Sequence, residues 1–165
     1  MFDDGLNCAE KDAAIALFQR AYAAQTRRDY ETAEDLYRAS IEVYPTAEAH
    51  TFLGWTYSFQ KRYGEAIEEC HKAIAVDPTF GNPYNDIGSY LIALGDIWGC
   101  VSWFQRALQA PRYESYAFPH FNLARVYEQR GRLLAAARHY QAAMDQRGDY
   151  EGAQKALRRI QMKLN

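Results

Sequence analysis

Small residues recur along the chain at intervals near 34. Gly88 follows Gly54 by 34 residues, Ala124 follows Gly88 by 36, and Ala66 follows Ala33 by 33. Around each of them apolar side chains return at the three- and four-residue steps of an α-helix. The pattern is fullest from Ala47 to Phe80, where Leu53, Gly54 and Tyr57 fall on one helical segment, Tyr63, Ala66 and Ala73 on a second, and Pro78 follows. Gly54 and Ala66 are small where two antiparallel helices must approach closely. Tyr57 and Tyr63 supply apolar bulk, and Pro78, with no N–H to donate, stops the second helix. Such a pair cannot bury its apolar face alone, so the pattern predicts a stack of helix pairs.

Numbered from Ala47, those residues hold places 7, 8, 11, 17, 20, 27 and 32, a spacing that resembles the tetratricopeptide repeat. In the first unit Leu17, Ala21, Tyr30, Ala33, Tyr37, Ser40 and Pro45 take the matching places; Arg20 and Ala24 depart, as an end repeat with one open side allows. The third unit offers Ile87, Gly88, Leu91, Ile97, Cys100, Phe104 and Ala107, and the fourth Leu123, Ala124, Tyr127, Leu133, Ala136, Tyr140 and Ala143. The resemblance implies an all-α fold, a right-handed superhelical solenoid of antiparallel helix pairs with about nine helices. Its expected layout is a segment 1–13 leading into the first helix, units at 14–46, 47–80, 81–116 and 117–149, and a capping helix over 150–165. Asn7 to Glu10 reads as a capping start for the first helix, and Asn82-Pro83 as a start for the third unit. The two residues added before Ala124 belong to the connection Pro111 to Tyr116, whose Tyr113 and Tyr116 are expected to pack over helix ends. Along the last helix Ala153, Leu157, Ile160 and Leu164 share one side, and the charged other side suits a cap.

Composition narrows the function. Hydrophobic residues at 48% argue against disorder, and a formal charge of −2 gives no global reason to expect nucleic acid. Lys155, Arg158, Arg159 and Lys163 read as a solvated helix face. No stretch approaches the roughly 18 apolar residues of a membrane span. The acidic start MFDDGLNCAEKDAA does not read as a secretory signal, and Cys8, Cys70 and Cys100 are odd in number and far apart. A reducing, cytoplasmic setting is the simplest expectation.

Candidate chemistry is sparse. Of the four histidines, His50, His71, His120 and His139, His50 and His120 share place 4 because of the repeat, and His71 beside Cys70 is ill-placed to chelate with it, so neither a metal nor another cofactor is expected. No phosphate-cradling loop and no nucleophile-and-base signature appears, and the reading is non-catalytic.

The resemblance further implies that places 2, 5, 6, 9, 12 and 13 line a concave groove. These are Ile15, Phe18, Gln19, Tyr22, Gln25 and Thr26, then Glu48, Thr51, Phe52, Trp55, Ser58 and Phe59. The third unit gives Asn82, Asn85, Asp86, Ser89, Ile92 and Ala93, and the fourth Phe118, Phe121, Asn122, Arg125, Glu128 and Gln129. The expected site is therefore aromatic at Phe18, Tyr22, Phe52, Trp55, Phe59 and Phe121, and polar at Asn85, Asp86, Ser89, Asn122 and Arg125. Its expected ligand is a peptide segment or helix of another protein. Acidic C-terminal chaperone tails are not expected: the places of a carboxylate clamp hold Phe18, Tyr22, Phe52, Asn82 and Asp86 in one window, and Thr51, Trp55, Asp86, Phe118 and Asn122 in the next. Two other roles fit the pattern, a small chaperone shielding an apolar client segment and a self-assembling scaffold in which Met1, Phe2 and Leu6 fill a groove.

Overall fold

The computed structural model describes residues 3–164. Among the described residues it contains nine α-helices and no β-strand. They are α1 Asp3–Thr26, α2 Tyr30–Val43, α3 Ala47–Phe59, α4 Tyr63–Val76, α5 Asn82–Ala93, α6 Cys100–Gln109, α7 Ala117–Gln129, α8 Leu133–Gln146 and α9 Glu151–Leu164. The chain divides into two compact units, unit 1 ending at Pro83 and unit 2 beginning at Tyr84. In unit 1, α1 packs on α2 and α3, α2 on α3, and α3 on α4; in unit 2, α7 packs on α6 and α8, and α8 on α9.

One device turns the chain between the two helices of each pair. A residue in the left-handed region stands at Arg28 (φ 63°), Lys61 (φ 61°), Gly95 (φ 87°) and Gly131 (φ 70°). Around Lys61, the Lys61 N–H donates to the Ser58 carbonyl at 2.9 Å and the Arg62 N–H to the Tyr57 carbonyl at 2.9 Å; the same two bonds recur at the other three turns. This paired pattern satisfies the carbonyls that a helix end leaves open and reverses the chain within a few residues.

In unit 1, Ala21, Ala24 and Ala33 are buried, and the backbones approach closely. At Gly54 an added Cβ would stand 3.1 Å from the Ala66 carbonyl oxygen, so the fit tolerates hydrogen and little more. Tyr37 is fully buried, and its hydroxyl donates to Gln25 Oε1 at 2.7 Å. Ser40, also buried, donates to the Ala14 carbonyl at 2.8 Å. In unit 2 the same close approach is made by Gly88 against Phe104, whose ring leaves 2.6 Å to a Cβ at that position. Ala124, Ala136, Tyr140 and Ala143 join Ala153, Ala156 and Ile160 of α9 in one core, so α9 covers the end of α7 and α8. Tyr113 is buried, its ring set edge-on to that of Tyr116 at 5.4 Å, and Tyr116 donates its hydroxyl to the Ala110 carbonyl at 2.8 Å.

The start of the first helix differs from expectation. Helix α1 begins at Asp3, so Asn7 lies inside it and does not cap it, and the described part of the segment 1–13 is helical. The second helix of the third unit begins at Cys100, three residues after Ile97. Asp96 Oδ1 accepts the N–H groups of Trp98 (3.3 Å) and Gly99 (2.8 Å), a local turn that delays the helix. Of the N-terminal apolar set, Met1, Phe2 and the side chain of Leu6 lie outside the described residues.

Candidate functional site

Unit 1 gathers four of the expected aromatics on α1 and α3. The Phe52 ring is the hub, with its centroid 4.3 Å from Trp55, 5.1 Å from Phe18 and 5.7 Å from Tyr22. Tyr37 of α2 supports it from beneath, 5.4 Å from Phe18 and 6.1 Å from Phe52. Edge-on and tilted contacts of this kind hold rings in fixed orientation. Phe18, Phe52 and Trp55 are half-buried, and Tyr22 is 52% exposed at the outer margin. The structure does not bring Phe59 into this set: it is 56% exposed and stacks on Tyr30 at 5.5 Å.

Two residues at groove places point elsewhere. Gln25 is buried because the Tyr37 hydroxyl needs an acceptor, and Thr51 is buried with its hydroxyl bonded to the Ala47 carbonyl at 2.7 Å. Ile15 and Glu48 instead line a cleft of about 340 Å³ beside the aromatic set, with Phe18, Lys11, Tyr44 and Ser40 completing it. The Lys11 ammonium sits 5.1 Å from the Tyr44 ring centroid. Lys11, Ser40 and Tyr44 had no signal among the groove places, because Lys11 precedes the first repeat, Ser40 belongs to α2 and Tyr44 caps its C-terminal end.

Charged groups brace these helices from behind. Glu34 on α2 receives Arg62 (2.7 Å), Arg38 (2.9 Å) and the Tyr57 hydroxyl (3.2 Å). Burial opposes its ionisation, but the two guanidiniums and the phenol outweigh it and hold the carboxyl below the usual range. Glu69 on α4 is likewise opposed by burial and held down by His50 Nδ1 at 2.7 Å and Lys72 at 2.6 Å.

Unit 2 presents a polar set and a second cleft. Asn122 Nδ2 on α7 donates to Asn85 Oδ1 on α5 at 3.3 Å and approaches Ser89 Oγ at 3.5 Å, so these three expected residues meet. Asp86, half-buried, is near Tyr113, whose phenol pKa is pushed up by burial first and by that carboxylate second. Phe121 packs against Tyr150 (4.7 Å) and Tyr140 (5.6 Å), and exposed Arg125 reaches over its ring at 6.0 Å. Phe121 and Arg125 open onto a cleft of about 390 Å³ with Ile92, Glu128 and Arg159. Phe118 stands 41% exposed, 6.1 Å from Tyr150.

Elsewhere in unit 2, His120 Nδ1 lies 3.0 Å from His139 Nδ1, and His139 stacks on Tyr127 at 5.4 Å. Burial lowers the pKa of both imidazoles, and His120 lowers that of His139 further. Among the described residues no group of three or more His, Cys, Asp or Glu is placed to hold a metal ion, and no helix is long and apolar enough to cross a membrane.

The family model described as Tetratricopeptide repeat matches residues 47–80. Heat shock protein STI1 of Saccharomyces cerevisiae is 27% identical over 93 residues, covering 55% of this chain and 16% of that protein. Small glutamine-rich tetratricopeptide repeat-containing protein 2 of the same yeast is 30% identical over 96 residues, covering 54% of this chain and 28% of that one. The chain thus spans less than a third of either relative. Among solved structures, Pseudomonas aeruginosa pilF is similar with a TM-score of 0.86 at 20% identity, over 94% of this chain and 70% of that one. The first TPR of Spaghetti (RPAP3), bound to the HSP90 peptide SRMEEVD, is similar with a TM-score of 0.65 at 22% identity, over 72% of this chain and 92% of that one.

Proposed function

Because the chain belongs to the tetratricopeptide-repeat family, we infer that it is a non-catalytic interaction scaffold that holds a segment of another protein. The observation that carries this reading is the ring set Phe18, Phe52 and Trp55 with Tyr22 at its margin. These rings are braced from below by Tyr37, so their exposed edges are held in place before a ligand arrives, and little ordering cost is left for binding. Apolar side chains of a partner segment cover those edges and the adjoining cleft. Phe59 extends this contact region, and Asn85, Asp86, Ser89, Phe121, Asn122 and Arg125 form a second one in unit 2. There the Asn85 and Asn122 amides offer a donor and an acceptor to an extended backbone. Cys70 and Cys100, buried thiols that form no disulfide, fit a reducing cytoplasmic compartment.

Trp55→Ala is expected to weaken capture of the partner by roughly 10- to 100-fold, the loss of about 1.5–3 kcal/mol of ring burial, while thermal unfolding shifts little. Titration of the purified partner against both proteins measures this, and equal affinity overturns the assignment. Acidic chaperone tails lie outside the proposed ligands, because the clamp places hold aromatic, acidic or neutral residues. Labelled SRMEEVD, the peptide bound by the RPAP3 repeat domain, is therefore expected to show no anisotropy change, and micromolar binding would refute that exclusion.

A further inference from the structure

The cleft in unit 2 is unevenly charged. Its floor is apolar, formed by Ile92, Phe121, Val126 and Ala156. Its one carboxylate among the described residues, Glu128, is already committed. Arg159 binds it through Nε at 3.1 Å and Nη2 at 2.8 and 2.9 Å, and the Tyr140 hydroxyl donates to it at 2.9 Å. Glu128 therefore has nothing left to offer a cationic ligand. Arg125 is in the opposite position. It is exposed on the same rim, lies over the Phe121 ring at 6.0 Å, and makes no ion pair with any carboxylate of the described residues. Its side chain lines the cleft, where the Tyr140 and Tyr150 rings flank Phe121. Gly152 lies close under the Phe121 ring, where a Cβ would stand 3.4 Å from it.

From this charge asymmetry we propose that the cleft receives an acidic residue of the partner segment, its carboxylate on Arg125, with a bulky apolar side chain beside it on the Phe121 floor. A guanidinium near the edge of an apolar floor suits this pairing, since its planar fork of N–H donors is available to a carboxylate while the apolar side chain beside it meets the ring. One uncommitted cation matches a single acidic side chain and is too little for a polyphosphate backbone, which needs several. The assignment rests on the peptide-binding reading above and adds the chemistry of the ligand.

The test is selection of phage-displayed random dodecapeptides on the full chain, repeated on Arg125→Glu and Trp55→Ala. Arg125 has no ion pair to lose, and a thermal melt confirms that its variant folds. Peptides from the wild-type chain are expected to carry Asp or Glu within two residues of an aromatic residue or leucine. Synthesised singly, they are expected to bind Arg125→Glu at least about tenfold more weakly, while selection on that variant shifts towards Lys and Arg. Peptides with no acidic preference, or with equal affinity for Arg125→Glu, overturn the assignment and leave peptide binding standing, and loss on Trp55→Ala alone places them in unit 1. No peptide enriched on any of the three proteins overturns both readings.

Discussion

Lys61 and Gly131 occupy equivalent turns in the same left-handed conformation, yet only glycine adopts it without steric cost. Lys61→Gly is therefore expected to be neutral or to stabilise by up to about 1 kcal/mol, and Gly131→Ala to destabilise by about 1 kcal/mol, both read from urea midpoints. Gly88→Ala meets a harder limit, because the Phe104 ring must move, and a loss of about 1–3 kcal/mol is expected in the same measurement. Positions of this kind were legible in the sequence. A helix contact that tolerates only a small residue writes that residue at a fixed interval, which is how Gly54, Ala66 and Gly88 stood out. Gln25 was not legible, because its burial depends on a phenol 12 residues away on another helix, and the groove place it holds carries no trace of Tyr37. Phe59 shares its fate: spacing put it on the right helix, and its partner Tyr30 drew it to the margin.

At the scale of the element, α9 is docked by one apolar side and by the ion pair of Arg159 with Glu128 on α7. Ile160 is fully buried, so Ile160→Ala is expected to cost about 2–4 kcal/mol and to free the amides of α9 to exchange before those of α7. Arg159→Ala is expected to cost less than about 1 kcal/mol, since the arginine is half exposed to water even though Glu128 is not. Hydrogen exchange on the two variants separates packing from charge as the means of docking. The helices themselves were readable from apolar periodicity, including the last. Their starts were less so, because a start is decided by whichever group reaches the open N–H groups: the capping start at Asn7 falls inside α1, and ahead of α6 Asp96 takes up the Trp98 and Gly99 N–H groups in a local turn.

Over the whole molecule, acid acts on both units. Glu34 and Glu69 in unit 1 and Glu128 in unit 2 have carboxyl pKa values lowered on folding by their cationic and phenolic partners, against burial. They contribute stability above the unfolded carboxylate range and lose it as pH falls through their folded values. His120 and His139 act earlier. Their folded pKa values lie below the ordinary imidazole value near 6.5, so below that pH the unfolded chain takes up protons that the folded chain refuses, and stability falls. Urea midpoints are expected to decline in two stages, first below about pH 6.5 and then more steeply below about pH 4.5, and His139→Gln to flatten the first stage alone. The three cysteines open another view of the same chain. Cys8 is exposed on α1, whereas Cys70 on α4 and Cys100 on α6 are buried, one in each unit, and burial raises the Cys100 thiol pKa further from reactivity. A thiol-exchange dye consumes Cys8 at once and then waits for each half to open, so the protein carries two internal clocks whose rates, read separately in Cys70→Ala and Cys100→Ala, time the opening of unit 2 and unit 1.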